Sequence, residues 1–158
     1  MNIALLASGK GSNVKNILSH FQENDDININ LVATNNPNSP VIQYAKDFNV
    51  DSFLFNRKEF SKSGYLLQII LGYKIDLVVL AGFLLRIPEE FVQKFKGGII
   101  NVHPSLLPHY GGKGMYGDHV HNAVLANKEI KSGITFHYVN ENYDEGKIIK
   151  NNSELNLS

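Results

Sequence analysis

Short apolar runs alternate with segments of helical spacing from the N-terminus to about residue 102. Runs typical of buried strands cover residues 3–7, 29–34, 52–55, 77–81 and 99–102. Between them, apolar residues recur at three- and four-residue spacing over 13–21, 41–48 and 60–71, which predicts helices, and a short segment, 88–95, precedes the fifth run. This alternation predicts an α/β fold: a doubly wound, Rossmann-like, mostly parallel sheet with helices on both faces.

The pattern becomes less regular after Pro108. A glycine-rich loop over 111–117 precedes a predicted helix at 118–126, for which Asp118 is a suitable N-cap. Residues 133–139 are typical of another strand, 140–146 of a polar loop, and 147–150 of the start of a further strand. We expect residues 1–150 to form a single catalytic domain, and the polar tail 151–158 to be poorly ordered.

Composition narrows the class of protein. Hydrophobic residues make up 43% of the chain and charged residues 19%, which is typical of a globular protein. Lysine plus arginine equals aspartate plus glutamate at 15 each, so charge predicts neither a nucleic-acid nor a membrane partner. The absence of cysteine excludes disulfides, thiolate metal sites and a cysteine nucleophile. No signal peptide or membrane span is evident, and we expect a cytoplasmic protein.

The end of the fifth predicted strand carries the strongest chemical signal. Asn101 and His103 are two residues apart on a strand, so their side chains face the same side. A carboxamide can stabilise an oxyanion and an imidazole can move a proton near neutral pH, a combination suited to acyl transfer. Pro104 and Pro108 stop the strand and stiffen the following loop. The alternative is a satisfied, partly buried histidine at a strand end.

The first strand leads into a second candidate site, the sequence Ser-Gly-Lys-Gly-Ser-Asn at 8–13, which then opens a helix. Glycines permit close backbone approach, and the helix N-terminus offers unpaired N–H groups to an anion. The loop is not a dinucleotide fingerprint, because Val14 stands where the third glycine would be, and it is not a Walker A loop. A single phosphate is therefore the favoured ligand; the alternative is a tight turn that binds nothing.

Other polar residues give weaker signals. Asp144, in the loop after the strand that carries His137, could return toward His103 and favour its protonated form, although alone it is typical of a solvated turn. Either arginine, Arg57 or Arg86, could bind a carboxylate. Structural or surface roles are favoured for the remaining candidates, which are His119, His121, His137 and Ser105.

Several segments together resemble the folate-dependent formyltransferase family, and within it the glycinamide ribonucleotide formyltransferases. They are residues 7–13, 77–83, 100–108 and 133–139, together with Asp144 and Gly146. The Asn-x-His-Pro-Ser-Leu-Leu-Pro segment is shared by several formyltransferases. The Gly-Ser-Asn loop narrows the resemblance to the glycinamide ribonucleotide formyltransferases. The resemblance extends to about Lys150 and implies the formyltransferase fold.

The resemblance implies a role for each matching residue. Asn101, His103 and Asp144 match the catalytic residues, and Gly11, Ser12 and Asn13 match the loop for the ribonucleotide phosphate. The implied folate-binding residues are Arg57, Leu84, Leu85, Arg86, Ile87, Asn101, Asn140, Glu141, Asn142, Tyr143 and Asp144. No metal ligand is implied.

The implied activity is transfer of the formyl group of 10-formyltetrahydrofolate, as co-substrate, to the amine of glycinamide ribonucleotide in purine biosynthesis. The alternatives are a formyltetrahydrofolate deformylase-like hydrolase and a truncated, inactive module that binds a phosphate ligand. A methionyl-tRNA formyltransferase would be expected to carry a further RNA-binding domain. The expected partners are small-molecule substrates, with the protein a monomer or a homodimer, and the family's C-terminal segment is expected to be missing after residue 150.

Overall fold

The computed structural model describes residues 1–62, 64–115, 118–129, 131–140, 142 and 145–156. The chain divides into two compact units, Met1–Ile99 and Ile100–Ser158. Among the residues described, no helix is both long enough and apolar enough to cross a bilayer.

The first unit is built on a parallel sheet. Its strands are β1 (Asn2–Ala7), β2 (Asn28–Thr34), β3 (Asp51–Leu54) and β4 (Leu77–Leu80), which lie in the order β3-β2-β1-β4. The pairings of β1 with β2, β1 with β4, and β2 with β3 are all parallel. The side chains of β1 from Ile3 to Ala7 are buried, which explains why this strand is apolar at every position and does not alternate.

Helices of the first unit bury one side each. They are α1 (Ser12–Phe21), α2 (Val41–Asp47), α3 (Arg57–Lys62), α4 (Tyr65–Gly72) and α5 (Glu89–Lys94). In α1 the buried side chains are Val14 and Leu18, four residues apart and therefore on one face. At the end of α4, the Tyr73 hydroxyl donates to Asp51 Oδ2 over 2.7 Å, and this hydrogen bond raises the pKa of the Tyr73 phenol.

The prediction of one helix over 60–71 is wrong in its bounds, since two helices occupy this region. Asn56 and Glu59 start α3 early by exchanging side-chain-to-backbone hydrogen bonds of 2.8 and 2.9 Å, the arrangement of a capping box. Gly64 has φ 58°, a left-handed conformation, and precedes α4. Apolar spacing continues through this break, so periodicity alone did not reveal it.

The second unit is antiparallel. It contains most of β5 (Gly98–His103), then α6 (Asp118–Ala126), β6 (Lys131–Tyr138) and β7 (Ile148–Asn156). The order is β5-β6-β7, and both pairings are antiparallel. The expectation of a poorly ordered tail after Lys150 is wrong for residues 151–156, because β7 continues through them. Backbone pairing with β6 forms the strand there, and it does not require apolar side chains.

Candidate active site

The loop that follows β1 leaves the N-terminus of α1 accessible. Ser12 and Asn13 are exposed and stand in the first turn of α1, where backbone N–H groups have no partner within the helix. No side chain caps this end of the helix. The loop therefore presents N–H groups and the positive end of the helix dipole, the arrangement that suits a phosphate.

Gly11 is required by its surroundings. Its φ is 68°, and a Cβ atom added there would lie 2.2 Å from Val41 Cγ1. Both the left-handed backbone and the close approach of α2 favour glycine. At Gly9, in contrast, an added Cβ would meet nothing within 4 Å.

Ser8 connects the candidate phosphate loop, residues 8–13, with the segment expected to line the folate pocket. The Ser8 hydroxyl donates to Asn35 Oδ1 over 2.6 Å and accepts from the backbone N–H of Leu84 over 3.0 Å. The Ser8 N–H donates to the carbonyl of Gly82 over 3.0 Å. Residues 8–13 and 82–87 are thus held side by side in the first unit.

The segment after β4 mixes exposed and buried side chains. Leu84 is 48% exposed, Arg86 is exposed and Ile87 is buried. An exposed leucine beside accessible backbone groups suits a ligand that is flat and largely apolar, with polar edges. The assignment of Leu84 to Ile87 to the folate stays a prediction.

An aromatic cluster brings α3 to the same segment. The ring of Phe60 on α3 lies 5.5 Å from that of Phe83, and both contact the buried ring of Phe55, at 5.3 and 6.1 Å between centroids. Arg57 is exposed and is the first residue of α3, one turn before Phe60. The structure therefore places Arg57 on an element that packs against the residue next to Leu84.

In the second unit, Asn101 on β5 is paired with His137 on β6. Asn101 Nδ2 lies 3.2 Å from His137 Nε2, and His137 Nδ1 lies 2.9 Å from the carbonyl oxygen of Tyr138. Because a carbonyl only accepts, His137 Nδ1 carries the proton and Nε2 accepts from the Asn101 amide. This pair of hydrogen bonds fixes which way the Asn101 carboxamide faces.

His103 is buried at the end of β5, with 3% of its surface exposed. Its Nε2 atom lies 2.8 Å from the carbonyl oxygen of Tyr110, so Nε2 carries a hydrogen that it donates to this carbonyl. His103 is paired with Thr135 across the strands, as Asn101 is with His137. Alternation along β5 puts Asn101 and His103 on one face of the sheet. Because directly opposed residues share a face, His137 and Thr135 lie on that face too.

Thr135 holds the loop after His103. Its Oγ1 atom accepts from the N–H of Leu107 over 3.0 Å and lies 2.7 Å from both the carbonyl oxygen of Ser105 and Asn151 Oδ1. Ser105 Oγ donates to the carbonyl of His109 over 2.9 Å, so the Ser105 hydroxyl serves the turn. Asn151, expected to belong to an unordered tail, contributes to this support.

The polar loop between β6 and β7 is described in part. Asn140 and Asn142 are exposed, and the N–H of Asn142 donates to Asn140 Oδ1 over 2.9 Å. An added Cβ at Gly146 would lie 1.5 Å from the Tyr138 carbonyl oxygen, so only glycine fits this close return. Three expected site residues of this loop, Glu141, Tyr143 and Asp144, lie outside the described residues.

The remaining histidines do not gather into a site. His119 and His121 lie exposed on α6. Within the described residues, no group of three or more histidine, aspartate or glutamate side chains could hold a metal ion.

Comparison with known proteins now decides the family. The model of the formyl transferase family matches residues 1–154, nearly the whole chain. The chain belongs to the formyl transferase family.

Two similar relatives of the chain are named phosphoribosylglycinamide formyltransferase. The chloroplastic phosphoribosylglycinamide formyltransferase of Arabidopsis thaliana is 39% identical over 155 residues, covering 93% of this chain and 52% of the relative. Phosphoribosylglycinamide formyltransferase of Bacillus subtilis is 36% identical over 151 residues, covering 92% of this chain and 75% of the relative. The chain thus spans about half the length of the chloroplastic relatives that it matches.

A solved structure of a formyl transferase confirms the predicted fold class. The crystal structure of phosphoribosylglycinamide formyltransferase from Anaplasma phagocytophilum superposes with a TM-score of 0.89 at 28% identity, covering 99% of this chain and 72% of that one. The chain is therefore an α/β protein with the mostly parallel, Rossmann-like sheet and the helices of the formyltransferase fold.

Sequence reasoning missed three residues of the candidate site. It favours a structural or surface role for His137 and does not single out Thr135 or Tyr110, yet each contacts Asn101, His103 or the loop that follows His103. These contacts depend on the register between β5 and β6, which cannot be read from the sequence. A histidine at an inward position of a strand near the Asn-x-His segment was the available signal.

Proposed function

We propose that this chain transfers the formyl group of 10-formyltetrahydrofolate to the amine of glycinamide ribonucleotide. Membership of the formyl transferase family and similarity to two relatives named phosphoribosylglycinamide formyltransferase support this activity. The observation that carries the proposal is the orientation of the Asn101 carboxamide, which the neutral ring of His137 fixes by accepting a hydrogen bond.

Asn101 supplies the oxyanion donor in this proposal. One Nδ2 hydrogen points to His137 Nε2, and the second is assigned to the oxygen that becomes negative when the amine attacks the formyl carbon. A donor that is already oriented does not have to reorganise as charge develops, which is the main source of such stabilisation.

His103 moves the proton. Because its Nε2 hydrogen is donated to Tyr110, Nδ1 is the ring nitrogen that gains and loses a proton. In its protonated form, His103 stabilises the tetrahedral intermediate and delivers a proton to N10 of the departing folate, and Nδ1 then takes up the proton that the attacking amine loses. Asp144 is assigned the role of favouring that protonated form. Its assignment rests on the resemblance, because Asp144 lies outside the described residues.

The first unit supplies the substrate contacts. Gly11, Ser12 and Asn13 hold the ribonucleotide phosphate through N–H groups and the Ser12 hydroxyl. Leu84, Leu85, Arg86 and Ile87, together with Arg57, contact the folate. The resemblance also assigns folate contacts to Asn140 to Asp144, and the predicted partners remain small molecules bound to a monomer or homodimer.

The proposal is tested by following folate product with and without glycinamide ribonucleotide. Product that appears only when the ribonucleotide is present, with formyl glycinamide ribonucleotide formed in equal amount, is the predicted result. Folate released equally fast without the acceptor would instead identify a deformylase-like hydrolase. Binding of the ribonucleotide by calorimetry without turnover would identify an inactive binding module, and either of these results would overturn the proposal.

A further inference from the structure

Tyr110 has a backbone conformation that is costly for a large side chain. Its φ is 57°, in the left-handed region that residues other than glycine seldom adopt. In this conformation, its carbonyl oxygen receives the hydrogen bond from His103 Nε2 over 2.8 Å. Local strain of this kind persists only where surrounding contacts hold it.

The phenol of Tyr110 supplies such contacts. Its hydroxyl donates to Glu129 Oε1 over 2.9 Å and accepts from Asn127 Nδ2 over 2.9 Å. The hydrogen of the hydroxyl and one of its acceptor positions are engaged by these two partners, so the ring is held at its far end.

The two partners are held in turn by the end of α6. The N–H of Glu129 donates to the carbonyl of Val124, and that of Lys128 donates to the carbonyl of Leu125, over 3.2 and 3.0 Å. Lys128 is left-handed with φ 54°, so these bonds form a Schellman motif. The motif fixes the backbone of Glu129, whose side chain accepts the hydrogen bond of the Tyr110 hydroxyl.

A cavity adjoins the Tyr110 loop. It has a volume of about 140 Å³, and Ser105, Tyr110, Val124, Glu129 and Ser132 are among the residues that line it. Atoms beside a cavity lack contacts on one side. Packing on that side therefore contributes less to holding the loop than it would in a filled core, and the hydrogen bonds of the phenol add to it.

We propose that Tyr110 is a positioning residue for His103: its anchored phenol holds its carbonyl against Nε2, which keeps the proton on Nε2 and leaves Nδ1 to exchange it. The effect on turnover rests on the proposed function, while the effect on the ring does not. Nothing in the chemistry requires Tyr110 to touch a substrate.

The state of the ring is measured directly by ¹⁵N NMR of His103 in the full chain. In the parent protein, the shifts are expected to show the neutral ring as the Nε2–H tautomer. Tyr110→Phe removes the hydroxyl but keeps the ring and backbone, and should give a mixture of tautomers. Tyr73→Phe is the matched control, because it removes a phenol-to-carboxylate hydrogen bond from the first unit.

Kinetics give the second readout. Tyr110→Phe should lower kcat by about three- to tenfold, as expected for loss of one ordinary hydrogen bond, with KM for both substrates within about twofold of the parent. Glu129→Ala should reproduce this loss. Glu129→Gln keeps an acceptor oxygen for the phenol and should restore most of the rate, and Tyr73→Phe should leave kcat unchanged.

An Nδ1–H tautomer in the parent protein would overturn the proposal, as would a Tyr110→Phe variant that matches Tyr73→Phe in both tautomer and kcat. A lower melting temperature without either change would show a merely structural role and would also overturn it. If His103→Ala leaves formyl transfer unchanged, the role assigned to His103 in turnover fails, and if the parent protein shows no ribonucleotide-dependent formyl transfer, the proposed function fails. In either case the NMR result alone then judges whether Tyr110 positions the ring.

Discussion

At the scale of single residues, the candidate site depends on which ring and amide hydrogens already take part in hydrogen bonds. His137 is 2% exposed and has both ring nitrogens engaged, one with the Tyr138 carbonyl and one with Asn101. A carboxamide can be flipped by rotation about its last torsion, and His137 removes that ambiguity by offering an acceptor. The same logic applies to His103, whose Nε2 faces a carbonyl.

Substitutions at Asn101 and His137 are expected to cause coupled losses of activity. Asn101→Ala should lower kcat by about 10²–10³, the usual effect of removing one oxyanion donor, with little change in KM. His137→Leu should cost about tenfold, because the carboxamide remains but its orientation is no longer fixed. Since His137 acts through Asn101, the double variant should be no slower than Asn101→Ala.

His137→Gln is the control for that cycle, because its side-chain oxygen keeps an acceptor for Asn101. The measurement is kcat and KM by steady-state kinetics on variants whose circular dichroism matches the parent. Strictly additive losses in the double variant would separate His137 from Asn101 and contradict the coupled arrangement.

At the scale of secondary-structure elements, the candidate phosphate loop, residues 8–13, is fixed where β1 passes into α1. Gly11→Ala forces a Cβ into a left-handed position 2.2 Å from Val41 Cγ1. We expect the free energy of unfolding to fall by about 2 kcal/mol or more, from backbone strain and overpacking together. Gly9→Ala is the control, because a Cβ there meets nothing within 4 Å. Equal stability of the two variants in denaturant titrations would contradict this prediction.

Because Gly11 variants alter stability, the phosphate contact itself is better probed at the exposed Ser12. Ser12→Ala should raise KM for the ribonucleotide severalfold and leave KM for the folate nearly unchanged, since only the phosphate contact is lost. Equal changes in both constants would assign a different ligand to this loop.

The sequence predicted the elements well where apolar spacing changes from one element to the next. It failed at Gly64, where helical spacing continues across a break, and after Lys150, where a polar segment forms β7 by backbone pairing. In the site, alternation along one strand placed Asn101 beside His103. The opposition of Asn101 to His137 depends on the register between β5 and β6, which side-chain period alone does not specify.

At the scale of the whole molecule, the family model covers both compact units, while the assigned roles are divided between them. The expected phosphate residues belong to Met1–Ile99, and Asn101, His103 and Asp144 belong to Ile100–Ser158. Similar relatives are found both in a chloroplast and in a bacterium, so the cytoplasmic location stays a prediction.

The central claim is that the Asn101–His103 pair performs formyl transfer, and His103→Ala tests it most directly. The measurement is the ribonucleotide-dependent rate of folate formation at saturating substrates, with His121→Ala, an exposed histidine of α6, as the control. The account predicts that His103→Ala lowers kcat by about 10²-fold or more while the fold is preserved, because proton delivery to N10 is lost. A folded His103→Ala variant that turns over as fast as the control would contradict the account.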